Sequence, residues 1–286
     1  MSSEASAPVV SGSVYTFTFG DTVLAVDAAK AGRVATFSLA GRNVLTGPKN
    51  SEDNNWGSTF WTSPQSDWNW PPPAEIDPGP YTADVAGNSL VLGSLAAPVL
   101  GLAVSKSFSV DAGKGMVAIT YGIANKGTTP RKAAPWEISR VPAGGLTFFP
   151  MGEGKPWKGP QEMLPLEIRD GVAWFASPTV AAASDQKVFA DGREGWIAHV
   201  AGDLLLVKAF SDTTPDQAAP GESEIEIYTD PGRTYVEVEN QGPYVEIAPG
   251  AAVFWPVRWF LRKLDAKVAV RPGSPDLVGA VRALLK

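Results

Sequence analysis

Residues 14–19 read Val14-Tyr15-Thr16-Phe17-Thr18-Phe19. Aromatic side chains stand at every second position, with threonines between them. Successive side chains of a strand point to opposite faces, so this stretch offers one aromatic face and one more polar face. That is the pattern of a half-buried strand. Working outward, the same rhythm returns at 23–26, 33–39 and 43–45, with Gly, Asp or Asn between the runs. It continues at 89–92, 102–110, 116–125 and 137–141, and again at 194–200, 204–210, 224–229, 234–239 and 253–264. No helical periodicity of any length precedes residue 270. Short alternating runs separated by turn residues imply an antiparallel all-β chain.

The end of the chain differs. Ser274-Pro275-Asp276 combines a capping hydroxyl, a proline in the first turn and an acid near the positive helix end. Leu277, Val281, Leu284 and Leu285 then share one face, which predicts a short helix over 275–286 packed on the outside of a sheet. Residues 1–12 are expected to form a disordered N-terminal tail, and 13–286 a single domain that includes the helix. The segments 71–80 and 213–221 read as long surface loops.

Composition narrows the function classes. Hydrophobic residues make up 44% and charged residues 19%, values that suit a globular chain and argue against disorder. A formal net charge of -6 with no clustered Lys and Arg argues against nucleic acid and anionic membranes as partners. The absence of cysteine removes disulfides, zinc–thiolate sites and Cys nucleophiles. The apolar runs are too short for a membrane span. No cofactor is implied, and no ligand spacing for a metal is visible. Met1 to Pro8 has neither the basic region nor the apolar run of a signal peptide. It reads as the tether of an exported protein, periplasmic or secreted, with a cytoplasmic location as the alternative. The oligomeric state has no signature in the sequence.

Four places could carry chemistry. In 54–73, NNWGSTFWTSPQSDWNWPPP, Trp56, Trp61, Trp68 and Trp70 are interleaved with Gln65, Asp67 and Asn69. Indole planes cover the C–H face of a sugar, while amides and carboxylates bind its hydroxyls, so Trp61, Gln65, Asp67 and Trp68 are candidate saccharide contacts. The plain alternative is a cap on the open end of a sandwich. In Pro135 to Val141, strand geometry puts Trp136 and Arg140 on one face, as a stacking surface beside a fixed cation, and Glu137 on the other. From Thr234 onward, Tyr235, Glu237 and Glu239 share a face. Carboxylates two residues apart stand about 7 Å from each other and raise each other's pKa when partly buried. The alternative is an exposed charged face. His199, the chain's one histidine, lies in an apolar strand, where a core position is the usual reading.

The order of these features resembles the galactose mutarotase-like superfamily over nearly all of 13–265. The resemblance implies a large antiparallel two-sheet supersandwich that handles a carbohydrate. Its most specific piece is Tyr235-Val236-Glu237-Val238-Glu239-Asn240-Gln241, similar to the aldose 1-epimerase strand whose Glu is the general base. On that match Glu239 is the base and Gln241 its companion. Gly57 to Asp67 resembles an early loop that presents a polar residue to the sugar. Pro135-Trp136-Glu137 stands where those epimerases carry their general-acid histidine, so Glu137, His199 or a water would have to take its place. Three readings follow: an epimerase-type enzyme, a saccharide-binding protein without turnover, or an interaction module that uses the tryptophans as hot spots.

Overall fold

The computed structural model describes residues 7–49 and 55–286. Two large sheets pack face to face. The first contains 12 strands. Its main path runs from Val9–Ser11 through Val14–Phe19, Thr22–Asp27, Arg33–Leu39, Ser58–Ser63, Arg131–Val141, Val236–Gln241, Ile225–Thr229 and Gln186–Ala190 to Glu162–Met163. The second contains 10 strands, ordered Glu167–Arg169, Val172–Ala176, Leu146–Pro150, Trp196–Ala201, Leu204–Ala209, Ala252–Lys263, Met116–Asn125, Leu102–Asp111, Ser89–Gly93 and Thr82–Ala86. Pairing is antiparallel except between Glu162–Met163 and the strand carrying Lys187. This is the two-sheet all-β sandwich expected from the alternating runs.

The layer between the sheets is built by the inward half of each alternation. Phe17, Leu24, Val26 and Phe37 from the first sheet are buried with Phe108, Val117, Ile119 and Trp259 from the second. Phe60 of the first sheet stacks on Tyr121 of the second with ring centroids 4.3 Å apart. Burying aromatic rings of this size is what overcomes the chain entropy of ordering so many strands.

The terminal helix forms over Pro275–Leu285, and the Ser274 hydroxyl accepts from Leu277 N–H at 3.4 Å. Its buried Leu277, Val278 and Val281 cover Trp174, Trp196, Val207 and Phe260 on the outer face of the second sheet.

Three expectations need revision. Val9–Ser11 is a strand paired to Val14–Thr16, so regular structure begins inside the segment read as a tail; Met1 to Ser6 lie outside the described residues. Gly57 to Asp67, expected as a loop, is mostly strand. Ser58–Ser63 is a fully buried strand whose partners are Arg131–Val141 and Arg33–Leu39. Burial on both faces removes the polar–apolar alternation that would mark it as a strand. Finally, the 71–80 segment is anchored in the interior. Asp77 is buried and receives both Arg33 Nη2 at 2.8 Å and Trp61 Nε1 at 2.9 Å.

Candidate functional site

Cross-strand register decides which side chains meet. Trp136 stands opposite Trp61 on one side and Gln241 on the other. Ile138 stands opposite Glu239, which stands opposite Glu226. Arg140, Glu237, Tyr228 and Lys187 form the next row. Directly opposed residues share a face, so these rows cover the outer face of the first sheet. Over them lies a cleft of about 360 Å³, lined by Trp61, Gln65, Trp70, Trp136, Gln161, Asp185, Lys187, Tyr228, Tyr235 and Glu237, with Asn55 at its edge.

The floor consists of aromatic rings backed by charges. Trp61 meets Trp70 and Trp136 edge to face, with centroids 5.7 Å and 5.4 Å away. The Arg140 guanidinium lies 5.4 Å from the Trp61 ring and Lys187 Nζ 5.2 Å from the Trp136 ring. Arg140 Nε donates to Glu237 at 2.8 Å. Lys187 Nζ lies 2.6 Å from Glu226 and 3.4 Å from Glu239. Trp136 Nε1 donates to Glu239 Oε2 at 2.8 Å, and Gln241 Nε2 donates to Glu226 Oε1 at 2.6 Å.

Burial pushes the Glu226 carboxyl well up; Lys187 opposes this, while Glu239 and Glu222 add to it. Burial likewise raises Glu237 against the pull of Arg140. At Lys187 burial disfavours the ammonium, but Glu226 and Glu239 outweigh it and hold the group above its ordinary range.

Several buried polar atoms here have no hydrogen-bond partner among the described residues: Arg140 Nη2, Glu239 Oε1, Gln241 Oε1 and Gln161 Oε1. Glu239 Oε1 has Lys187 as a counter-ion but no hydrogen bond. Buried polar groups are nearly always satisfied, so a cluster of exceptions calls for an explanation.

The sequence candidates divide sharply. Trp61, Trp136 and Gln65 line the cleft. Arg140, Glu239 and Gln241 lie buried directly beneath it. Trp68 donates from Nε1 to Thr62 O and packs edge-on against Trp61, so it backs the floor rather than facing the cleft. Asp67 is exposed in a short 3-10 turn and is not part of the lining.

Glu137 and His199 are not brought to the cleft. Glu137 points between the sheets, where Lys208 Nζ lies 2.7 Å away and Trp259 Nε1 donates to it at 3.1 Å. Its odd place beside Trp136 and Ile138 sends it through the opposite side of the strand. His199 belongs to the second sheet, fully buried on the same side of its strand as Ile197. It shares a hydrogen bond with Thr147 Oγ1 at 2.9 Å, and burial lowers its pKa to about 3. An imidazole that cannot hold a proton near neutrality is no general acid there.

Lys187, Glu226, Tyr228, Asp185 and Gln161 were missed. The signal at Lys187 was weak: Gln186–Ala190 is only five residues long, and its lysine is an ordinary surface residue until pairing places it next to Glu226.

The two-sheet sandwich has the fold of galactose mutarotase-like proteins. Solved structures agree at the level of fold. The Slr1438 protein from Synechocystis superposes with a TM-score of 0.62 at 13% identity, covering 92% of this chain and 99% of that one. A galactose mutarotase-like protein from Clostridium acetobutylicum gives 0.58 at 10% identity, covering 88% and 95%. Another from Lactobacillus casei gives 0.57 at 11% identity, covering 87% and 100%. The chain belongs to the family described as a domain of unknown function, DUF4380, which matches residues 17–262. A comparison with curated proteins gives no match. Among the described residues no group of His, Asp and Glu side chains is arranged to hold a metal, and no helix is long and apolar enough to cross a membrane.

Proposed function

We propose that the cleft binds a saccharide. The observation that carries this reading is the set of unpartnered buried polar atoms beneath an aromatic floor. Glu239 Oε1, Gln241 Oε1 and Gln161 Oε1 accept, and Arg140 Nη2 donates. A sugar hydroxyl does both, and its ring carries the apolar C–H patches that Trp61, Trp70 and Trp136 can cover. The cleft volume of about 360 Å³ lies within the usual span of small-molecule sites. The test is quenching of tryptophan fluorescence by a panel of monosaccharides, repeated with Trp136→Ala. Saturable quenching that the variant loses supports the reading, and no response to any sugar removes it.

A second reading, acid–base epimerisation of the bound sugar, is favoured by Glu239. It alone among the three catalytic candidates lies under the cleft, and it keeps a free acceptor atom. Polarimetry of fresh α-glucose and α-galactose decides between the two. Faster equilibration that Glu239→Gln abolishes makes the protein an epimerase with a new acid. Binding without acceleration leaves a saccharide-binding protein.

A further inference from the structure

The charges around the cleft are unevenly matched. Arg140 is committed to Glu237, and Lys187 to Glu226 and Glu239. Each of these cations also lies over a tryptophan ring. Lys187 is shared between two carboxylates, and Arg140 keeps one open donor, Nη2, while its charge is already matched by Glu237. The carboxylates are in excess. Glu222 accepts from Gln65 N–H at 2.9 Å and makes no ion pair among the described residues, although the field of Lys187 reaches it. Asp185 lines the cleft on the strand edge next to Lys187 and makes no ion pair among the described residues. Five carboxyl groups, Asp185, Glu222, Glu226, Glu237 and Glu239, thus stand around two cations, Lys187 and Arg140.

The unpartnered buried atoms lean the same way. Acceptors outnumber donors: Glu239 Oε1, Gln241 Oε1 and Gln161 Oε1 against Arg140 Nη2. What is missing is therefore a group rich in N–H or O–H donors, and positive charge is welcome. An ammonium group supplies three donors and the missing charge together. The exposed Trp70 ring at the rim adds a face that attracts a cation.

Resting on the saccharide reading above, we propose that the cleft selects an amino sugar, with its protonated amine held between Asp185 and the acceptor atoms beneath the floor. A neutral sugar would leave acceptors with fewer donors. An acidic sugar would place a further anion among carboxylates.

The experiment is titration calorimetry of the whole protein with glucosamine, N-acetylglucosamine, glucose and glucuronate. It is run at about pH 6, below the ordinary range of such an amine. Glucosamine is expected to bind at least about tenfold more tightly than the acetylated and neutral sugars, which corresponds to about 1.4 kcal/mol. The gap narrows in Asp185→Asn. Equal affinity for glucosamine and glucose, or tighter binding of glucuronate, overturns the amino-sugar inference and leaves the saccharide reading standing. Binding of none of the four overturns both.

Discussion

Two buried charge networks lie back to back across one pair of strands, and they differ in what covers them: the second sheet on one side, a cleft on the other. On the inner side Lys208 Nζ lies 2.7 Å from Glu137 and donates to Val238 O at 2.8 Å, while Trp259 adds a donor to the carboxylate. On the outer side Lys187 and Arg140 meet Glu226, Glu237 and Glu239, yet Glu239 Oε1 and Arg140 Nη2 are left over. The inner network ties Arg131–Val141 and Val236–Gln241 to the second sheet, although Asn240, opposite Glu137 on the same face, keeps both side-chain amide atoms unpartnered among the described residues. The outer one keeps valences open under a cleft. Neither burial nor unpartnered atoms alone therefore separate a structural charge from a functional one; what distinguishes the outer network is the cleft above it.

The comparison can be broken at several points. The largest effect is expected inside. Glu137→Gln leaves the Lys208 ammonium buried without a counter-ion, which costs about 3–5 kcal/mol. A urea titration checks it, and Glu137→Met with Lys208→Met is expected to recover most of the loss. A single variant of near wild-type stability would mean that the inner pair is not a clamp.

The histidine comes next. His199 is buried with a pKa of about 3, whereas an unfolded chain holds it near the ordinary 6.5. Between those values the unfolded state binds a proton that the folded state does not. Stability therefore rises with pH across this window and is lost as pH falls from 6.5 towards 3. The slope contributed is at most about 1.4 kcal/mol per pH unit. With one histidine in the chain, the difference in stability between wild type and His199→Gln isolates it. A difference that does not change between pH 7 and pH 4 contradicts the assignment.

The smallest stability effect is expected in the cleft. Glu239→Gln keeps an acceptor for Trp136 Nε1 and leaves Lys187 paired with Glu226, so the cost should stay within about 1.5 kcal/mol. Saccharide affinity should nevertheless fall. If this substitution destabilises as much as Glu137→Gln, the two networks are alike and the distinction fails.

Much of the fold was readable. Strands with one wet face, such as Val14–Phe19 and Met116–Asn125, announce themselves by alternation, and the terminal helix announces itself by its cap. The strands that escaped, including Ser58–Ser63 and Leu146–Pro150, are buried along their whole length and carry no period-two contrast. The candidate site was readable in halves. Trp61, Gln65 and Trp136 were found because aromatic and amide groups concentrate there. Lys187 and Asp185 were not, because nothing local connects their strand to Val236–Gln241, which lies two places away in the sheet.

The sequence by itself determined which side chains travel together. Trp136 and Arg140 had to share a face, with Glu137 opposite, because the period of a strand is two. It also determined that Glu237 and Glu239 stand side by side. Only the tertiary structure decided where each face goes. Pairing between distant segments turned one side of these strands towards the second sheet and the other towards a cleft. That choice made Glu137 a partner of Lys208 and Glu239 a partner of Lys187. Local geometry sets the spacing of charges along a strand, but the register between strands far apart in the chain sets their neighbours.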